Sequence, residues 1–288
     1  MRVVQNPRHL IGRVNIVLLF VVTQLVALNI VFAYPDDYKA FEGMESSPIP
    51  IVIFMAEILA FTAILIYLAR KGKDSLIKGI IGILFFFALL YVLEPVLLWL
   101  RTPFASLIAL ASSALLTYVT LRRPRWYLTD CVGILVGGGI AAILGFSLVP
   151  RILGALLIVL AAYDYYSVYR SKHMLELAEV ADRTNIPLLF VSPTGKKVAR
   201  IRDGKKTEEH TYFLGFGDAV LPGALAVSVL TYMGDVYGAL ATVGGGVVGL
   251  TLLLITMEEG KGYPGLPFIN GGALGALALY SVYVQFLH

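Results

Sequence analysis

The sequence predicts an all-α, polytopic membrane protein with nine transmembrane helices, its N-terminus cytoplasmic and its C-terminus extracytoplasmic. Three observations lead there. First, 58% of the 288 residues are hydrophobic and only 15% are charged, with a mean hydropathy of +0.80. Soluble domains carry about 25% charged residues, so no soluble domain of useful size can be cut from this chain. Second, nine apolar runs approach the roughly 20 residues that a bilayer crossing needs. Third, laying the runs alternately across a membrane puts 20 of the 23 Lys and Arg on one side. Only Lys39, Arg101 and Arg151 fall opposite. The basic side is the cytoplasmic one by the positive-inside rule, and one missed helix would scramble the pattern.

The runs follow in order. The first, 14–33, comes after Arg2, Arg8 and Arg13; it is long enough to span and shows no cleavable signal pattern. An acidic outer loop, 34–50, carries Asp36, Asp37, Glu42 and Glu45. The second run, 51–69, stops at Arg70 and Lys71, and the third covers 76–93, with Glu94 and Pro95 near its end. Its boundary with the fourth, 104–121, is blurred, because 96–100 stays apolar up to Arg101. The fifth run is 127–148 and the sixth 153–169. A long inner loop follows, with a helix-like stretch at 173–181 and an apolar stretch at 186–191 between Pro187 and Pro193. Its basic part extends to His210, with Gly195 and Gly204 as turn signals. The last runs are 212–233, 236–257 and 266–287. The chain thus divides into 1–170 with six helices, a partly mobile cytoplasmic loop at 171–211, and 212–288 with three more.

Several function classes drop out. A net charge of +4, with its basic residues in loops, does not suggest nucleic acid. The single cysteine, Cys131, excludes an internal disulfide, and the four histidines show no ligand spacing. No metal or cofactor is expected. The expected setting is the cell membrane, with lipids as partners and homo-oligomerisation left open.

What remains is a small set of intramembrane acids. A carboxylate at bilayer depth costs roughly 2.5–3.5 kcal/mol on insertion scales, so it marks a function by default. Asp218 follows Gly215-Phe216-Gly217, whose glycines suggest a close backbone approach. Asp164, beside Tyr163, lies six residues before Arg170 in the sixth run, and Asp218 lies seven residues after Thr211 in the seventh. At 1.5 Å per residue both sit about 9–10 Å from the inner face. Two acids facing lipid would both be unsatisfied, so they are expected to face each other. Alone, either acid could be a polar contact between helices. Glu57 and Glu94 read as structural, Asp130 and Asp235 as interfacial, and the glycines at 244–249 as close helix packing. Lys196 to Lys206 reads as a solvated basic loop.

Two close carboxylates share one proton, because both cannot ionise cheaply. The ionised one can take a proton from water while the protonated one polarises a carbonyl. That division of labour hydrolyses a peptide bond without metal or covalent intermediate.

Tyr163-Asp164 and Gly215-Phe216-Gly217-Asp218 resemble the Tyr-Asp and Gly-x-Gly-Asp motifs of the presenilin and signal peptide peptidase family of intramembrane aspartyl proteases. Pro264-Gly265-Leu266 stands where that family has Pro-Ala-Leu, with Gly for Ala. The resemblance covers essentially the whole chain, and the inside N-terminus is that of presenilin. It implies that Asp164 and Asp218 form the catalytic dyad. Tyr163, Gly215, Phe216, Gly217, Pro264, Gly265 and Leu266 would shape the substrate site. The substrate would be a transmembrane helix of another protein, unwound and added as a strand to protein backbone, with 186–191 and the residues before Asp218 as the candidate edge. Two other readings stay open here: a proton- or cation-coupled transporter using the buried acids, and a prepilin-type peptidase. The absence of an internal repeat counts against the first, the depth of both acids against the second.

Overall fold

The computed structural model describes residues 7–122, 125–168, 189–193, 211–257 and 263–287. The apolar runs become helices α1 (Pro7–Ile30), α2 (Ile49–Arg70), α3 (Asp74–Trp99), α4 (Ala105–Arg122), α5 (Trp126–Ser147) and α6 (Pro150–Tyr166). Two strands follow, β1 (Leu189–Pro193) and β2 (Thr211–Gly215), then α7 (Phe216–Met233), α8 (Val236–Thr256) and α9 (Leu266–Leu287). Among the described residues, eight helices are long and apolar enough to cross a membrane. The remaining one, α6, has 17 residues. The helix expected at 173–181 and the basic stretch at 196–206 lie outside the described residues.

Two boundaries differ from expectation. Pro95 lies inside α3, which continues to Trp99. A proline removes only one backbone bond, and the helix resumes beyond it, with Leu100 N–H donating to the Val96 carbonyl at 3.0 Å. The chain turns instead at Arg101 and Phe104, whose φ of 53° and 56° cannot continue a right-handed helix. The second difference matters more. Residues 211–215 of the seventh run are strand, and the helix starts at Phe216. Asp218 therefore stands in the first turn of α7. A depth counted at helical rise does not apply to it, because a strand advances about 3.3 Å per residue.

The centre of the molecule is α5 and α7, each with 67% of its apolar window buried, against 11% for α2. Close helix contacts depend on glycines, as the sequence suggested. A Cβ on Gly249 of α8 would strike the Phe268 carbonyl of α9, and one on Gly245 would strike Gly272. Backbones in that proximity exclude any side chain. Gly249→Leu is expected to destabilise the protein by about 1–3 kcal/mol through overpacking. Gly244→Ala, where an added Cβ meets nothing within 4 Å, should not lower the thermal midpoint in detergent, since Ala is the better helix former.

The turn between α7 and α8 has a local cause. Gly234 takes φ 65°, the left-handed conformation that ends a helix, and its N–H caps Leu230. Asp235 then caps α8 by accepting the Gly238 N–H at 2.9 Å and takes the Tyr280 hydroxyl at 3.0 Å. Glu94 is likewise structural: it takes the hydroxyl of Tyr38 in the outer loop, whose pKa is pushed up by burial first and by the Glu94 charge second. Glu57 is exposed on α2.

Between α6 and α7 the two strands form an antiparallel ribbon, with Phe190 opposite Leu214 and Ser192 opposite Tyr212. Phe190, Ser192 and Leu214 are buried, so this face of the ribbon packs on the bundle. The ribbon leads directly into Gly215 and α7, and so fixes where Asp218 begins.

Candidate active site

Asp164 stands near the end of α6 and is 4% exposed. Its Oδ2 accepts the Leu266 N–H at 3.1 Å, and the Gly265 N–H faces the same carboxylate. Leu266 opens α9. The first amides of a helix have no partner within it and carry partial positive charge. A carboxylate from a neighbouring helix satisfies both needs at once. Asp164 thereby holds the proline motif in place. Farther along, Asn270 Nδ2 donates to the Leu157 carbonyl at 3.2 Å, keeping α9 on α6.

Asp218 is half-buried and occupies the third position of α7, whose N-cap is Gly215. From there its carboxylate reaches back to the Gly215 N–H. This is half of a capping box, with Asp in the place of Glu. One turn on, Pro222 lacks an N–H and loosens the backbone. Gln24 of α1 sits against this point, its Nε2 donating to the Ala219 carbonyl at 2.8 Å.

Gly265 joins the two acids. A Cβ built on it would stand 3.1 Å from Asp218 Oδ2, while its amide faces Asp164. A Cβ on Gly215 would stand 3.2 Å from the same Asp218 oxygen. Two backbones therefore lie close to this carboxylate, and a side chain on either would be tight against it. Gly217 is different: it is exposed, and an added Cβ meets nothing within 4 Å. The flank of Asp218 on that side is open.

The structure thus brings together Asp164, Asp218, Gly215, Gly265 and Leu266, with Pro264 buried beside them. It does not bring Phe216. That ring, read from sequence as facing substrate, is 9% exposed and packs in the core at 4.6 Å from the Phe190 centroid. Tyr163 is half-buried; adjacent helix residues diverge by about 100°, so it does not share the face of Asp164.

The interfacial reading of Asp130 is also corrected. Asp130 of α5 is 4% exposed, and its Oδ1 accepts the Val191 N–H of β1 at 2.9 Å. One helical turn on, a Cβ at Gly133 would meet the Phe216 ring at 2.5 Å and the Phe190 ring at 3.1 Å. From the other strand, the Tyr212 hydroxyl takes a 3.3 Å contact from Arg13 Nε of α1. In the sequence Asp130 is inconspicuous because it stands near the end of its run. The signal that could have found it is its i, i+3, i+7 spacing with Gly133 and Gly137, one face of a helix with no bulk.

Two carboxylates on separate membrane helices, bound among the described residues by backbone amides and bordered by glycine, are an arrangement compatible with an aspartyl hydrolase. Comparison with known proteins agrees. A family model described as signal-peptide peptidase, presenilin aspartyl protease matches residues 17–285. The chain belongs to that family. Two solved structures of a presenilin family intramembrane aspartate protease, in space groups C222 and P2, are similar at 29% identity. The first has a TM-score of 0.67 and covers 92% of this chain and 95% of its own; the second has 0.69, with 93% and 97%. No curated protein matches the chain. The chain is an integral, multi-pass membrane protein and an aspartic endopeptidase. Neither the transporter nor the prepilin-type reading is favoured.

Proposed function

We propose that this protein hydrolyses peptide bonds within transmembrane helices of substrate proteins, with Asp164 and Asp218 as its catalytic dyad. The observation that carries the proposal is Gly265, whose amide faces one carboxylate and on which a Cβ would stand 3.1 Å from the other. The ionised member takes a proton from water, whose oxygen attacks the scissile carbonyl carbon. The protonated member gives its proton to the carbonyl oxygen. As the tetrahedral intermediate collapses, the C–N bond breaks, the first acid passes its proton to the leaving nitrogen, and the second, now ionised, takes a proton back from a hydroxyl of the intermediate, restoring the dyad. Substrate backbone passes along the open flank at Gly217, with Pro264 and Leu266 bounding the site. Tyr163 and Phe216 act from behind it.

The ribbon offers a place for unwound substrate. Val191 gives its N–H to Asp130, so its amide points away from β2. By the alternation of an antiparallel pair, Phe213 opposite it turns its N–H and C=O to the outer edge of β2. The Gly215 N–H lies on that same side and meets Asp218. A substrate strand added to β2 would find its amide partners there, in a setting where lipid offers none.

In this reading α6 is the ninth span. The N-terminus is cytoplasmic and the C-terminus extracytoplasmic, supported by the distribution of basic residues. Segment 171–211 is the cytoplasmic loop between a six-helix part, 1–170, and a three-helix part, 212–288. The partners are single-span proteins and membrane lipids, in the cell membrane.

The test is direct. Purified protein in detergent or vesicles should cut a single-span substrate inside its span, and a hydroxyl-containing transition-state isostere should inhibit it. The rate should fall at both low and high pH, since one acid must be ionised and the other protonated. A flat profile between about pH 4 and pH 9 would contradict the shared proton.

A further inference from the structure

We infer that Asp130 is a positioning residue for substrate: by holding the Val191 amide it seals the outer edge of β1 and fixes the register at which the open edge of β2 meets the dyad. The inference rests on the reading that β2 receives the substrate strand. None of the three sequence motifs contains Asp130.

Several observations converge on it. A two-stranded ribbon has two free edges, and each is a template for another strand. Here the edges are treated differently. The β1 edge is closed at its centre by a buried carboxylate 2.9 Å from the Val191 nitrogen. The β2 edge, by the alternation of the pair, presents the Phe213 backbone N–H and C=O and ends at Gly215, on the amide that meets Asp218. An unwound substrate that could choose either edge would be cut only from one. Closing the wrong edge directs it to the right one.

The second effect is register. A ribbon that slips by one residue exchanges its faces. The Asp130 bond links a fixed helix to one particular amide, so β1 cannot slide along α5. Because Val191 is opposite Phe213, β2 is fixed in turn. The Phe190–Phe216 contact, resting on Gly133 one turn above Asp130, ties the same face of α5 to the residue two before Asp218. Arg13 on Tyr212 grips the second strand. The distance along the substrate from strand edge to scissile bond is then set by α5.

Cut-site position tests this, because a merely structural residue would not move it. Asp130→Ala should raise KM about tenfold, the scale of one lost hydrogen bond to a charged group, and spread cleavage over neighbouring bonds by mass spectrometry. Asp130→Asn keeps an acceptor oxygen and should restore a single cut site and a KM within about twofold. Val191→Pro removes the donor instead; its amide does not serve the pairing with β2, so the ribbon tolerates the change. It should spread the cut sites as Asp130→Ala does. The double variant should be no worse than either, since both delete one bond.

An unchanged cut site in both Asp130→Ala and Val191→Pro overturns the inference. So does an Asn variant as impaired as Ala, or full additivity in the double variant. If Asp130→Ala does not fold, Val191→Pro and Asp130→Asn decide the matter alone. Failure of the underlying reading looks different. Substrates N-methylated at the backbone beside the cut site would then be cleaved as well as the parent. If they are cleaved poorly while the Asp130 and Val191 variants behave as wild type, β2 receives the strand and Asp130 does not position it.

Discussion

Asn at Asp164 or at Asp218 is expected to abolish cleavage, lowering the rate by on the order of 10³-fold or more, while the protein still folds. The size follows from the role: a positioned acid or base contributes about 10²–10⁴-fold, and here one residue alternates between both tasks. That folding survives follows from the geometry. Asn keeps a side-chain oxygen, so Asn at 164 can still accept the Leu266 N–H, and Asn at 218 can still accept the Gly215 N–H. What Asn lacks is the proton chemistry. Ala at either site would confuse the two losses, because it also removes a helix-capping acceptor worth about 0.5–2 kcal/mol. The double Asn variant should be no slower than either single one, as groups that act as a unit lose their effect together. Product formation from a single-span substrate, alongside the thermal midpoint, checks all three. Full activity in either single variant would end the dyad reading.

The sequence made most of the helical architecture legible, since apolar runs of bilayer length have few other uses. Asp164 and Asp218 stood out for the same reason: ionisable groups are rare there, so each one is conspicuous. Proline motif and dyad could be joined only through resemblance, because nothing in the order of residues says that the Leu266 amide meets Asp164, 102 positions away. The ribbon was half visible. The apolar stretch before Pro193 was a candidate edge, yet 212–215 reads as the start of a membrane helix, and hydropathy alone cannot distinguish a buried strand from a buried helical turn. Phe216 was misplaced for a related reason. Its motif position suggests substrate, but the strand-to-helix transition at Gly215 turns its ring toward Phe190. Asp130 reads as interfacial because it stands near the end of its run, and nothing local says that it is buried. Its burial comes from β1, which returns from far along the chain to cover it.

A series at Gly265 should separate two meanings of a small residue in the proline motif. The site tolerates one extra atom and no more. In Gly265→Ala the new Cβ would lie 3.1 Å from Asp218 Oδ2, tighter than ordinary contact by a few tenths of an ångström. The oxygen is the end of a side chain and can yield that much, and Ala is the residue of the pattern this motif resembles. Activity should stay within about threefold, given that such a shift is far below the ~1 Å displacement that costs about 10²-fold. Gly265→Val adds two branches to the same carbon. At least one must enter the space of Asp218 Oδ2, which also lies only 3.2 Å from the Cβ position of Gly215. The carboxylate then has to leave its place, and kcat should fall by about 10²-fold. The backbone itself gives no reason for loss, as Gly265 does not adopt the left-handed conformation that would exclude Val. The Leu266 amide also remains on Asp164, so α9 keeps its capping partner and the thermal midpoint should move little. A drop in kcat without a matching loss of stability would mark Gly265 as the spacer between the two acids. Equal losses of both would make it a packing residue, and a fully active Val variant would show that Asp218 works from a position the resting structure does not hold.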